Sequence, residues 1–176
     1  AALAGNRHRH APYRTAEDLQ AVHPHFPMIA VWDDHESTDN SYRDGAGNHD
    51  PLTEGDWAAR KQISQQAYFE WLPIRPREPG NHSVIYRNFA FGDLIDLTML
   101  DTRLEGRDEQ LTIPADPGRN DEDRHLISEQ QMDFLLNSLS ESNSQWRFIG
   151  QQVMFAQLNI AEIPSLSERH AQLRGQ

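Results

Sequence analysis

An unbroken apolar run, Phe26-Pro27-Met28-Ile29-Ala30-Val31-Trp32, stops abruptly at four polar residues, Asp33, Asp34, His35 and Glu36. Such a run reads as a strand buried on both faces that delivers polar side chains at its carboxyl end. Upstream, Thr15 with Asp18 resembles a capping box and predicts a short helix to about Val22. Downstream, Ser37 to Gly55 is rich in Asp, Asn, Gly and Ser and reads as a long loop, a length that compact domains keep for function or leave disordered. Asp56 then caps a helix from Trp57 to about Leu72, with Trp57, Ile63, Ala67, Tyr68 and Trp71 at helical spacing and Pro73 as its stop.

Two strands follow, about Ser83–Phe89 and Leu94–Leu100, turning at Phe91-Gly92-Asp93. In the second, Ile95, Leu97 and Met99 alternate with Asp96 and Thr98, which gives one apolar face. Asp101 to His125 is another polar loop. Ser128 and Gln131 form a second capping box, ahead of a helix with Met132, Leu135, Leu136 and Leu139 on one stripe. Trp146 to Phe155 reads as a last strand, and strands alternating with helices favour an α/β layer architecture. No internal repeat breaks this order.

Composition bounds the function. The chain has 176 residues with a net charge of -11, from 16 basic and 27 acidic residues. A field of that sign repels nucleic-acid backbones and anionic membranes, and suits cations. Hydrophobic residues make up 37% and mean hydropathy is -0.77, polar for a domain with its own core. The absence of cysteine excludes disulfides, thiolate metal sites and thiol nucleophiles in these residues. No apolar run reaches the roughly 18 residues that span a bilayer. The start, Ala1-Ala2-Leu3-Ala4-Gly5, lacks the pattern of a signal peptide, so a targeting segment is expected outside this chain.

Chemistry concentrates at Asp33, Asp34, His35 and Glu36. Functional groups of open α/β sheets collect at the carboxyl ends of strands. Carboxylates held there bind hard cations, and a neighbouring histidine can protonate a leaving oxygen or bind an anionic one. The same four residues also read as a solvated strand end. The pairs His8 and His10, and His23 and His25, read as solvated, and Trp57, Trp71 and Trp146 as packing residues.

Val31-Trp32-Asp33-Asp34-His35-Glu36, with Asn40 beyond it, resembles the W-D-D-H-E segment of the PhoD-like phosphatases, a branch of the calcineurin-like metallophosphoesterase superfamily. Four more segments agree in order. Asp56 to Arg75 resembles the family helix and its M-P-x-R ending, Phe91-Gly92-Asp93-Leu94 its F-G-D-L, and Met99-Leu100-Asp101-Thr102-Arg103 its L-D-T-R. Gln130, Leu135 to Leu139, Trp146 and Gly150 to Met154 resemble the helix and strand that follow, so the likeness runs from about Tyr13 to Leu158.

The resemblance implies an α/β fold, part of an α/β/β/α metallophosphoesterase sandwich that is incomplete here, with residues 1–176 as a single partial domain from the central portion. It implies hydrolysis of phosphomonoesters or phosphodiesters at a multi-metal centre, calcium with iron in some members, in a secreted or periplasmic protein. It puts Asp34 and Asp33 among metal or phosphate ligands, with Asn40 near enough in the loop to join them. His35 falls where the superfamily keeps the histidine of its G-N-H-E/D motif, the catalytic position. The family's upstream aspartates and downstream G-D-x-H segment are absent from these residues, so the chain is expected to hold part of the metal shell and to be inactive alone. Two literal superfamily strings read as decoys: Gly47-Asn48-His49-Asp50 follows a polar loop, and Gly92-Asp93-Leu94-Ile95-Asp96 comes too late in the order. Arg103 either faces the site or pairs with a nearby acid. The competing reading is a non-catalytic acidic calcium-binding module built on Ser37 to Asp56, although no EF-hand spacing is present.

Overall fold

The computed structural model describes residues 3–113 and 116–156. Leu158, where the expected likeness ends, lies outside them. The described residues form a mixed α/β structure. In order they make α1 (Leu3–Arg14), α2 (Glu17–Val22), α3 (Pro51–Glu54), α4 (Trp57–Trp71), β1 (Arg87–Phe91), β2 (Ile95–Met99), a 3-10 turn (Pro117–Asn120), α5 (Glu129–Glu141) and β3 (Trp146–Gly150).

β1 and β2 are an antiparallel hairpin, Arg87 opposite Met99 and Phe91 opposite Ile95. Its tight turn needs a left-handed residue, and Gly92 supplies it at φ 62°. β3 runs parallel on the other side of β2, Ile95 beside Trp146 and Met99 beside Gly150, with α5 as the crossover. The last ladder bond joins Leu100 N to Gly150 O at 2.9 Å, so β3 ends earlier than its sequence suggests. Beyond it Gln152 takes over the pairing with its side chain.

Asp56 caps α4, accepting from Ala59 N at 2.8 Å, and Ser128 caps α5, accepting from Gln131 N at 3.1 Å. α4 turns Trp57, Ala67, Tyr68 and Phe69 inward. Trp57, Tyr68 and Phe69 meet Trp32, Ile85 and Leu104 in the core. Trp32 sits edge-on to both Tyr68 and Phe69, at centroid separations of 5.6 and 6.0 Å, a geometry that adds to simple burial.

Several expectations are corrected. The run 26–32 is not a strand. No ladder partner pairs with it among the described residues, Phe26 is 65% exposed, and the run reaches the core through Val31 and Trp32. Apolarity alone does not make a strand without a neighbour to bond to. Thr15 does not cap α2; its hydroxyl donates to Pro12 O at 2.7 Å and closes α1 instead. On α5 the fully buried residue is Gln131, while Met132 and Leu136 are exposed. Trp146 is exposed too, on the outer strand of the sheet formed by the described residues.

α1 has no buried residue and no apolar stripe to announce it. It lies against α4, where Arg7 makes a two-pronged ion pair with Glu70, both bonds 2.6 Å, and His10 meets the edge of Tyr68. The hydrogen-bonded guanidinium holds the Glu70 carboxyl down to about 2. Half-buried His23 bonds Arg14 at 2.9 Å, so neither His10 nor His23 is simply solvated.

Candidate metal centre

Trp32, 1% exposed, anchors the backbone on which the next residues turn. Asp34 is the organiser of that turn. Its side chain accepts from His35 N at 2.9 Å and from Asn40 N at 2.8 Å. Its carbonyl accepts from Ser37 N and Thr38 N, both at 2.9 Å. Asn40 takes φ 53°, the left-handed conformation that asparagine tolerates. That conformation accompanies an Asn40 N–H directed at the Asp34 carboxylate. Glu36 Oε2 closes the other side by accepting from Asp33 N at 2.8 Å.

The electrostatics favour charge on Asp34. Burial presses its pKa upward, but the Asn40 N–H and the Arg103 charge outweigh burial and hold it below the ordinary carboxylate range. Arg103 crosses from the far side of the sequence, its Nε 2.5 Å from Asp33 Oδ1 and its Nη2 4.0 Å from Asp34 Oδ1. It therefore both faces the site and pairs with an acid.

Asp34, His35 and Asp39 bring one potential ligand atom each within 4.8 Å of one another. His35 Nε2 lies 3.4 Å from Asp39 Oδ1, and the His35 side chain is 77% exposed. Two carboxylates and an imidazole are a donor set for hard or borderline divalent cations. One donor is buried and charged and two are open to solvent, so these residues fit a metal. Asp33 stands beside the cluster with Arg103 on one oxygen. Asn40 gives its amide Nδ2 to Asp39 at 3.0 Å, next to the same cluster. Sequence reasoning missed Asp39. Its signal was its position four residues after His35, hidden among the polar residues of the loop.

The Gly47–Asp50 string folds against this turn. Gly47 N donates to Asp39 O at 3.0 Å, and Thr38 Oγ1 donates to Asn48 Oδ1. His49, its side chain 4% exposed, is enclosed by Arg60, Glu54 and Trp57, and Asp50 caps α3. These residues brace the site loop. Gly92 to Asp96 lies in the hairpin turn and β2 instead, with Asp96 bonded to Ser142.

Behind Arg103 lies a clamp of neutral amides. Gln131 accepts from Asp101 N at 2.7 Å and donates to Asp101 O at 2.9 Å and to Glu105 Oε2 at 2.6 Å. Gln152 accepts from Thr102 N at 3.0 Å and donates to Leu100 O at 2.9 Å. Two side chains thus continue the ladder on either side of residues 100–102. Asp101, wholly buried, accepts from Arg103 N and Leu104 N, both at 2.9 Å, and so sets the direction in which Arg103 leaves the strand. Burial pushes its carboxyl up to about 6, against those two N–H groups and the nearby Trp32 indole. Neither Trp32 Nε1 nor Asp101 Oδ2 closes a well-formed hydrogen bond.

Comparison with known proteins places this geometry. The chain is 35% identical over 166 residues to alkaline phosphatase D of Bacillus subtilis (strain 168), an alignment covering 89% of this chain and 27% of that protein. The chain thus spans little more than a quarter of that relative's length. A solved structure of PhoD superposes with a TM-score of 0.77 at 33% identity, over 90% of this chain and 31% of that one. The PhoD-like phosphatase family matches residues 1–174, and the chain belongs to that family.

Proposed function

We propose that the complete polypeptide carrying these residues is a secreted or periplasmic alkaline phosphatase and phosphodiesterase, and that these residues supply one side of its metal centre. The observation that carries the reading is the buried, charge-stabilised Asp34 with His35 and Asp39 gathered around it. The name of the Bacillus subtilis relative, alkaline phosphatase D, supports the same chemistry. Asp34 and Asp39 would hold a cation through their carboxylates. Asp33 and the side-chain oxygen of Asn40 complete this chain's share of the shell. Calcium with iron is the set we propose, and when bound it neutralises phosphate charge and makes water a better nucleophile.

The remaining work falls to the chain itself. Arg103 balances the negative charge of Asp33 and Asp34, so that an anionic substrate is not repelled outright. His35, its side chain 77% exposed, delivers its proton to the leaving oxygen as the phosphorus–oxygen bond breaks and water supplies the new one. With part of the shell, residues 1–176 alone should turn over an aryl phosphate far more slowly than the complete polypeptide.

The test is a phosphatase assay of the complete polypeptide with and without a chelator. Chelator-sensitive turnover supports the reading; calcium binding with no turnover would favour the acidic calcium-binding module instead. Apart from Asp39, which belongs to the cluster around Asp34, the carboxylates of the Ser37–Asp56 loop are engaged elsewhere, which counts against that alternative. Asp50 and Asp56 cap helices and Asp44 pairs with Arg43 at 2.7 Å.

A second experiment addresses His35. A residue that protonates the leaving oxygen matters most for a poor leaving group. His35→Ala should slow an alkyl phosphoester more than a nitrophenyl ester, with a loss of about a hundredfold to ten-thousandfold on the alkyl ester. Equal slowing of both, with metal content falling, would make His35 a ligand and remove the acid role.

A further inference from the structure

Two arginines leave the loop after β2, and they are in different circumstances. Arg103 is 11% exposed and engaged by Asp33 and Asp34. Arg107 is half-buried and meets only neutral acceptors, Thr102 O at 3.4 Å and Gln110 Oε1 at 2.9 Å. No carboxylate lies within ion-pair distance of it among the described residues. The carbonyl it touches belongs to the residue next to Arg103, so the Arg107 side chain folds back toward the stretch of chain that carries Arg103. Burial lowers the Arg107 pKa, as does the neighbouring Arg103 charge, while Asp33 and Asp34 raise it, which agrees with that placement.

The backbone under Arg107 is built to stay put. A Cβ on Gly106 would fall on the backbone of Ile127 and Ser128, so glycine alone lets the loop lie flat there. Glu105 accepts from Ser128 N at 3.2 Å and from Gln131 Nε2 at 2.6 Å. Arg107 O accepts from Arg43 N at 2.9 Å. A half-buried cation on a fixed frame, with neutral partners only, costs solvation that an arriving anion would recover. The guanidinium fork matches two phosphate oxygens. In a chain of net charge -11, an anionic substrate needs such a local cation.

We infer that Arg107 is a substrate-binding residue that grips a non-bridging oxygen of the phosphate group, while Arg103 stays with the Asp33 and Asp34 carboxylates. The inference rests on the phosphoester reading above.

The test uses the complete, metal-loaded polypeptide, an aryl phosphate as substrate and inorganic phosphate as competitive inhibitor. Arg107→Ala should raise KM and weaken inhibition by phosphate about tenfold to a hundredfold, the range of a charge-assisted hydrogen bond. Metal content should match the wild type, and Arg107→Lys should recover part of the affinity, because it restores the charge without the fork. Unchanged KM and phosphate inhibition in Arg107→Ala would overturn the inference and leave the phosphoester reading standing. Metal loss in step with activity would also overturn it, making Arg107 a support for the metal shell. If Arg107→Ala fails to fold, Arg107→Gln keeps an N–H donor for Thr102 O without the charge. Loss of phosphate affinity in that variant supports the inference, and retention overturns it. A wild-type polypeptide that neither hydrolyses the ester nor binds phosphate brings down both readings.

Discussion

Asp34→Ala in the complete polypeptide should slow phosphoester hydrolysis by about a hundredfold or more, the scale on which loss of a single electrostatic stabiliser is felt in enzymes. Asn48→Ala should cost no more than a few-fold. The contrast follows from what each side chain holds. Asp34 is 8% exposed, carries the charge that the site concentrates, and gathers the N–H groups of His35 and Asn40. Without it the turn loses both a candidate ligand and its organiser, so metal content should fall together with rate. Asn48 accepts one bond from Thr38 and belongs to the bracing loop. Steady-state rates on an aryl phosphate, read beside metal content by atomic emission, decide the matter. The reverse order of damage, with both variants folded, would put the superfamily motif at Gly47–Asp50.

Gln131→Ala should be the most damaging single change to stability outside the aromatic core, at about 3–5 kcal/mol. It removes the partners of Asp101 N and Asp101 O at once, together with one of the two donors to Glu105 Oε2, and each buried group left unsatisfied costs about 1–3 kcal/mol. The neighbouring Met132→Ala, on the exposed face of α5, should stay within about 0.5 kcal/mol. Urea midpoints of the complete polypeptide, followed by tryptophan fluorescence, compare the two. A Gln131→Ala loss no larger than that of Met132→Ala would show that the clamp is dispensable and that Arg103 is directed by something else.

What the sequence made legible was local. Asp56 before Trp57 and Pro73 after Trp71 mark α4, and Gly92 between alternating segments marks the hairpin. The acids after Trp32 stood out because an apolar run ended there, even though that run proved not to be a strand. The ordered string of family segments then gave the fold class. The illegible parts depended on distant contacts. α1 is polar along its length, so its place on α4 rests on Arg7 meeting Glu70, a pairing no periodicity reveals. Asp39 was lost among similar residues in its loop, and its meaning came only when the turn around Asp34 brought it to His35. The stripe on α5 misled because the helix buries an amide. Gln131 points inward to serve Asp101, thirty residues away in the chain.

That amide has a consequence for how the structure answers ionic strength. α1 is held to α4 by an ion pair whose side chains are 44% and 31% exposed, and dissolved salt weakens such pairs as the Debye length shrinks to about 3 Å at 1 M. The grip of Gln131 and Gln152 on residues 100–102 involves no net charge and little water. Concentrated salt should therefore loosen the N-terminal helix while the strand end that directs Arg103 keeps its shape.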